Sequence, residues 1–309
     1  MAENSKWFVI VNPKAGNGTG KRDWPVIQAH LQREGVVFDY AITQRKYHAV
    51  ELTVSAINQG YKKILSVGGN GILNEIVNGI FIQTKVPSTE ILIGIIHVGM
   101  GKGLKPIKNK PDFYLNKALA LKEEKHFMHD IGMVQLFESR IHHTRYFFNS
   151  AGVGFTAELA HKLNMLQEYG RNGIAHYRFS MIKALSQYRA SMIKLRIDDI
   201  ELNGTFFNIS LNVGICYIRR QPAIDDPNRN DGFLSVSITK RVRRWKAAWN
   251  LNKLLNEQTY DCRCSADYKG KRITISAKPH VNLEIDGEAV GSSPFAFTVL
   301  PKSVKVLIG

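Results

Sequence analysis

Residues 63–80 read KILSVGGNGILNEIVNGI, and this stretch decides the fold class. Lys63–Val67 closes on an apolar run without alternation, the pattern of a strand covered on both faces. Gly68-Gly69-Asn70-Gly71 breaks the run. Ile72, Leu73, Ile76, Val77 and Ile80 then recur at intervals that place them on one side of a helix. Strand, glycine loop and helix in this order form one unit of a parallel α/β sheet.

The same unit repeats outward in both directions. Trp7–Val11 is a buried-strand pattern followed by a polar, Gly-rich loop over Asn12–Arg22. Asp23 is expected to cap a helix with Pro25 in its first turn, with Val26, Ile27 and Leu31 on one stripe and Gly35 as the stop. Val36–Ile42 reads as a strand, and His48–Asn58 as a helix ended by Gly60. Ile91–Ile96 reads as a further strand, followed by Gly99, Gly101 and Gly103. These repeats predict a doubly wound parallel sheet, whose ligands bind outside the carboxyl ends of the strands. All three glycine loops fall at those ends. A Gly-rich loop there can aim backbone N–H groups at phosphate, with the helix dipole adding positive potential.

The second half has another texture. Helical stretches are expected over Thr156–Glu168 and Ile174–Arg189. Strands are expected over Met192–Ile197, Phe206–Val213, Phe233–Thr239, Arg272–Ser276, Val281–Ile285 and Val304–Ile308. Asp199, Asn203-Gly204 and Lys269-Gly270 read as turns. This pattern predicts an antiparallel, β-rich domain, and a shift in composition near Asp130 marks the boundary. A length of 309 residues agrees with about two domains.

The 42 Lys and Arg against 26 Asp and Glu leave a net charge of +16. That balance favours an anionic partner: nucleic acid, nucleotide phosphate or an acidic membrane surface. No zinc-finger, KH or RNP signature supports nucleic acid. Hydrophobic residues make up 44% and charged residues 22%, which excludes disordered, collagen-like and coiled-coil classes. Cys216, Cys262 and Cys264 are an odd number in a long chain, so free thiols and a cytoplasmic setting are expected. No secretory signal is read at Met1–Val11. The apolar run Ile91–Met100 is too short to span a bilayer. AGNGTGKR (Ala15–Arg22) misses the P-loop pattern, because Lys21-Arg22 replaces Lys-Ser/Thr. Gly99-x-Gly101-x-Gly103 is not a dinucleotide fingerprint, and the nucleophile elbow and HExxH are absent.

Taken together, the motifs resemble the diacylglycerol kinase catalytic-domain family, which includes bacterial lipid kinases and sphingosine and ceramide kinases. Asn12-Pro13-Lys14-Ala15-Gly16 is similar to its Asn-Pro-x-x-Gly. GGNGILNEIVNG (Gly68–Gly79) is similar to its Gly-Gly-Asp-Gly-Thr-x-Asn-Glu-x-x-Asn-Gly block. FNSAGVGF (Phe148–Phe155), Asp231-Gly232 and Asp286-Gly287-Glu288 resemble its later landmarks. The resemblance covers nearly the whole chain. It implies an α/β nucleotide domain over residues 1–130, rejoined by 300–309, and an antiparallel β-sandwich over 131–299.

The implied activity is transfer of the ATP γ-phosphoryl group to a lipid hydroxyl, which needs a phosphate cradle, Mg²⁺ and a base. By the resemblance, ATP is held by Asn12, Thr43, Gly68, Gly69, Gly71, Ile72, Leu73, Asn74, Glu75, Gly99 and Met100, and Lys102, a departure from the family pattern, adds a cation that can pair with phosphate. Glu288 is the implied general base, and Asp231 the implied Mg²⁺ ligand. The implied partners are a lipid substrate and an anionic membrane surface, with a homodimer compatible, in the cytoplasm or at the inner membrane face.

Of the positions that depart from the family pattern, three decide the reading. Asn70 stands at the aspartate, Ile72 at the threonine of the first loop, and Met100 at the threonine of the second. Every glycine is kept, while a carboxylate and two hydroxyls are lost. Two readings follow: a working lipid kinase relying on Glu288, the backbone cradle and Lys102, or an impaired, pseudokinase-like relative that still binds nucleotide or lipid. An NAD kinase-like enzyme is the alternative, since such enzymes share the Gly-Gly-Asp-Gly loop. Lys240–Lys246, which contains Trp245 and is followed by Trp249, reads either as a solvated helix face or as contact with anionic lipid.

Overall fold

The computed structural model describes residues 6–98, 110–138, 141–168, 183, 188–213, 231–240 and 265–308. The chain divides into two compact units, with breaks between His129 and Asp130 and between Pro301 and Lys302.

The first unit follows the alternation of its sequence. Its elements are β1 (Trp7–Val11), α1 (Ala15–Arg33), β2 (Phe38–Ile42), α2 (His48–Asn58), β3 (Lys63–Gly68), α3 (Asn70–Ile82), β4 (Leu92–His97) and α4 (Lys110–Glu123). The strand order is β2-β1-β3-β4, all parallel, with Trp7 beside both Phe38 and Lys63, and Lys63 beside Leu92. The last strand of the chain adds Lys305 and Val306, parallel to Leu92 and Ile93.

Trp7, Val9 and Val11 pack with Trp24, Ile27 and Leu31 of α1 and with Tyr114 and Leu121 of α4. The alternate residues Ile10 and Ile64 are buried as well, and α2 and α3 pack on each other and against β1 and β3. Coverage of both faces explains why these strands carry continuous apolar runs. The five stripe residues of α3 are all buried. α1 and α2 each end in a Schellman motif: Val36 N–H bonds the Leu31 carbonyl, and Tyr61 N–H the Ala56 carbonyl.

The start of α1 corrects the sequence expectation. Residues 12–22 are not one loop, and Asp23 is not a cap. Helical structure starts at Ala15, is interrupted by left-handed Gly16, Asn17 and Gly18, and continues through Asp23 and Pro25. Thr19 Oγ1 donates to the Gly16 carbonyl at 2.7 Å. Gly20 lies so close to the first loop that a Cβ on it would stand 2.0 Å from the Asn12 carbonyl oxygen. Asp23 is buried, accepting from Tyr114 Oη at 2.8 Å and Arg22 Nε at 3.0 Å. Val26 is exposed, and Trp24 takes its expected place in the core.

The second unit is antiparallel. Its elements are β5 (His126–Glu138, from Asp130 on), β6 (Ile141–Phe147), β7 (Ser150–Gly154), α5 (Phe155–Glu168), β8 (Met192–Ile197), β9 (Ile200–Thr205), β10 (Asn208–Val213), β11 (Leu234–Thr239), β12 (Ser265–Gly270), β13 (Arg272–Lys278), β14 (Asn282–Ile285), β15 (Glu288–Ser292) and β16 (Phe295–Leu307). Six strands form one sheet in the order β12-β11-β10-β7-β14-β15. In the other, β13 lies between β16 and β8, β9 pairs with β8, and β5 pairs with β16 and β6. Val153, Ile209, Leu211 and Val236 of the first sheet share one core with Leu195, Ile275, Phe295 and Phe297 of the second. This is a β-sandwich.

One expected turn does not occur. Asn203 and Gly204 lie within β9, opposite Lys194 and Ile193. The chain reverses earlier, at Asp198-Asp199 between the paired Ile197 and Ile200. The helix read over Ile174–Arg189 lies largely outside the described residues. Among the described residues no helix is long and apolar enough to cross a membrane.

Candidate functional site

In the first unit the carboxyl ends of β1 and β3 bring Asn12, Thr43 and Gly68 to one edge. Thr43 N–H bonds the Val11 carbonyl, and Asn12 N–H the Val67 carbonyl, both at 2.9 Å. Asn12 Oδ1 accepts from Lys14 N–H at 3.0 Å, which shapes the loop after β1. A Cβ on Gly68 would stand 3.3 Å from that of Asn12.

Gly69 is the N-cap residue of α3. No side chain caps this helix end, and its first turn holds no acidic residue. Asn70 and Gly71 are exposed, and a Cβ on Gly69 or Gly71 would meet nothing within 4 Å. Backbone N–H groups of a first helical turn lack intrahelical partners, so this end suits an anion.

The next residues turn inward. Ile72 is buried, and its Cγ2 would stand 2.5 Å from a Cβ on Gly68. Leu73 is in the core. Asn74 is buried and accepts from Asn78 Nδ2 at 3.1 Å. Glu75 reaches the next helix: its two oxygens accept from Tyr47 N–H and Ala49 N–H, each at 3.0 Å. That carboxylate does the work of a cap at the start of α2, which has none on its own N-cap residue. Gly99, Met100 and Lys102 lie outside the described residues. So do the three cysteines and the basic run beyond Lys240.

In the second unit Asp286-Gly287 forms the two-residue turn between β14 and β15, flanked by the paired Ile285 and Glu288. Both turn residues have positive φ, 49° and 91°, as a type I′ hairpin requires, and Gly287 adopts it without steric cost. Asp286 is buried. Its carboxylate accepts from the backbone N–H groups of Phe148, Asn149 and Ser150 at 2.8, 2.9 and 3.0 Å. The turn is thereby tied to the FNSAGVGF stretch. Glu288 follows at the head of β15, with its Oε2 3.9 Å from the Arg145 guanidinium.

Asp231 is engaged on both oxygens. Oδ2 lies 2.6 Å from Lys269 Nζ, and Oδ1 accepts from Phe233 N–H at 3.1 Å. Beside it, Gly232 N–H bonds buried Asp130 at 2.9 Å.

Sequence reading missed Glu284, Thr156 and Arg145. Glu284 Oε1 accepts from Gly287 N–H at 2.6 Å. Burial first, and the Asp286 carboxylate after it, push its carboxyl up to about 7 against the opposing Gly287 bond. The strand period carried a signal: Glu284 alternates with core residues Leu283 and Ile285 and so belongs to the other face of β14.

Residues 6–125 match the family model of the diacylglycerol kinase catalytic domain. Residues 149–308 match the YegS C-terminal NAD kinase beta sandwich-like domain. A diacylglycerol kinase of Staphylococcus saprophyticus subsp. saprophyticus is 23% identical over 299 residues, covering 96% of this chain and 93% of the relative. A diacylglycerol kinase structure from Bacillus anthracis str. Sterne superposes with a TM-score of 0.66 at 15% identity, covering 100% of this chain and 98% of that one. A yeast NADH kinase, solved with NADH, gives a TM-score of 0.54 at 10% identity, covering 100% of this chain and 84% of that one. Likeness at these identities is likeness of fold.

Proposed function

The chain belongs to the diacylglycerol kinase catalytic-domain family, and from that premise we propose that it binds ATP and transfers the γ-phosphoryl group to a lipid hydroxyl, diacylglycerol or a related lipid, at an attenuated rate. The observation that carries the nucleotide half is the uncapped start of α3, with open space at Gly69 and Gly71. A phosphate fits there on backbone N–H groups alone, so the loss of the aspartate and threonine side chains at Asn70 and Ile72 does not remove the cradle.

In the proposed step Glu288 takes the proton of the lipid hydroxyl. The hydroxyl oxygen bonds to the γ-phosphorus, and the bond to the ADP oxygen breaks. Phosphoryl transfer depends mainly on positioning and charge neutralisation. Here Asn70 is neutral where the family carries a carboxylate. Loss of one preorganised electrostatic group costs on the order of 10²–10³ in rate, which is the basis of the attenuation.

The family implies a divalent metal as well. The described residues do not fit one at Asp231: an ammonium and a backbone N–H occupy its oxygens, and among the described residues no three His, Cys, Asp or Glu converge as a ligand set.

A second reading, binding without turnover, is favoured by the Ile72 side chain over Gly68. The test is ATP-dependent phosphorylation of diacylglycerol, with NAD as a competing acceptor, by three proteins: the native chain, N70D/I72T/M100T, and Glu288→Gln. Slow native transfer to lipid, faster transfer by the triple variant and none by Glu288→Gln is the expected pattern. No nucleotide binding by either the native or the triple protein overturns the proposal, and transfer to NAD alone replaces it with the NAD kinase alternative.

A further inference from the structure

Glu284 has no part in the step above, yet it touches the turn that presents Glu288. It lies on β14 opposite Gly152 of β7, just after an irregularity in register between Leu283 and Glu284. The missing side chain of Gly152 leaves room for it. A Cβ at 152 would stand 2.5 Å from Glu284 Oε2 and 2.3 Å from Thr156 Oγ1. The other oxygen, Oε1, receives the Gly287 N–H at 2.6 Å. In a two-residue hairpin the N–H of the second turn residue is not used by the ladder, so it needs an outside acceptor when the turn is to be held still. The Asp286 N–H is held separately, by the Ser150 carbonyl at 2.9 Å. Each N–H of the turn is thus anchored, one to β7 and one to Glu284.

We infer that Glu284 is the positioning residue for Glu288: its ionised carboxylate fixes the Gly287 amide and with it the direction in which the Asp286-Gly287 turn delivers Glu288, and protonation relaxes that hold. The inference rests on the reading of Glu288 as general base. A charged acceptor makes a stronger bond than a neutral carboxyl, so the hold weakens as Glu284 gains its proton. Its carboxyl, pushed up to about 7, changes state across neutral pH.

Among the described residues, Asp286 is the charged group that acts on Glu284 directly, and the charges on the neighbouring elements belong to other pairs. Asp286 is in the turn, and Glu288 is on β15 with Arg145 of β6 beside it. Glu158 of α5 reaches Asn282, the neighbour of Glu284 on the same face of β14, and is paired with Lys162. Glu284 is half-buried, and among the described residues no Lys, Arg or His lies within ion-pair distance of it, so the Gly287 N–H is the group that opposes the rise of its carboxyl.

The test has two arms on the full chain between pH 5.5 and 8.5. The first follows the Gly287 amide by ¹⁵N NMR in the native protein and in Glu284→Gln, which keeps an acceptor oxygen but does not titrate. A Gly287 shift with a midpoint near 7 in the native chain, absent from the variant, is expected. A Gly287 amide that does not titrate in the native chain overturns the inference. The second arm measures lipid phosphorylation. Native kcat is expected to fall about tenfold from pH 8 to pH 6 with the KM for ATP unchanged, Glu284→Gln to lose that limb, and Glu284→Ala to be about tenfold slower at every pH. A limb that persists in Glu284→Gln overturns the inference. If the chain phosphorylates no lipid while Gly287 titrates, the assignment of Glu288 as base fails and the Glu284 hold stands.

Discussion

Ile72 covers Gly68: the Cγ2 of the isoleucine occupies space within 2.5 Å of where a glycine side chain would begin. The backbone of the loop keeps a phosphate-binding form while an apolar side chain fills one wall of it. Ile72→Ala, which removes the Cγ2 methyl that a threonine would keep, is expected to bind ATP more tightly than the native chain. It should also cost about 2–4 kcal/mol of stability, because a buried isoleucine is truncated to a methyl group. Titration calorimetry and urea unfolding read the two effects separately. Unchanged affinity would show that the isoleucine does not obstruct the cradle. Gly68→Ala should lose both fold stability and nucleotide binding, since its new methyl meets Ile72 and Asn12 together.

Glu75 sits in the family block among loop residues, yet its carboxylate holds the start of α2 through Tyr47 and Ala49. Glu75→Ala removes two charge-assisted acceptors at a helix N-terminus. The expected loss is about 1–2 kcal/mol, comparable to deleting a strong N-cap. Faster amide exchange at Tyr47 and Ala49 should accompany it, with ATP affinity changed less than about twofold. A large loss of affinity with no loss of stability would return Glu75 to the phosphate site.

Local order was legible because it is written in local signals. The β3–α3 unit, the bounds of α2 and the end of β14 at Ile285 each follow from neighbours within a few residues. Strands such as Met192–Ile197 were legible from strict alternation, which burial reproduces position by position. What stayed hidden depends on residues far along the chain. Asp23 looks like a cap because Pro25 follows it, but its partner is Tyr114. β5, β6 and β7 mix Gly, His, Asp and Ser into their runs, and pairing rather than propensity makes them strands. Arg145 becomes relevant only because β6 brings it within reach of Glu288.

Asp286 is buried with three backbone donors on its carboxylate. Asp286→Asn isolates the charge, because Asn tolerates the left-handed turn position as well as Asp. Its NH₂ group would face an N–H in place of one oxygen. The expected cost is about 2–4 kcal/mol by urea unfolding. Amide exchange at Phe148, Asn149 and Ser150 should quicken before global unfolding does. A neutral substitution would mean that the FNSAGVGF stretch is held by its strand pairing alone.

Tyr114 and Asp23 join α4 to α1 through a buried bond of 2.8 Å. Burial and the Asp23 carboxylate hold the Tyr114 phenol above its ordinary range, so it stays a donor at every physiological pH. Tyr114→Phe leaves a buried carboxylate short of one donor, while Asp23→Ala leaves a buried hydroxyl without this acceptor. Each should cost about 1–3 kcal/mol, and the double variant should cost less than their sum by about 1 kcal/mol or more. Strict additivity in that cycle would place the stabilisation in packing rather than in the bond.

Glu284 gives stability a pH dependence opposite in sign to that of a salt-bridged carboxylate. Its folded-state pKa, about 7, lies above the ordinary 4.5. Below the ordinary value both folded and unfolded chains hold the proton, and the contribution is fully present. Between there and about 7 the unfolded chain has released it while the folded chain has not, so rising pH favours unfolding. Native stability relative to Glu284→Gln should therefore fall as pH rises from 5 to 8. Paired urea titrations at each pH remove the contribution of every other group, provided the substitution perturbs none of them. A difference curve that is flat over this range, or that rises, would place the Glu284 carboxyl at or below its ordinary value and its environment closer to water than β7, α5 and the turn make it.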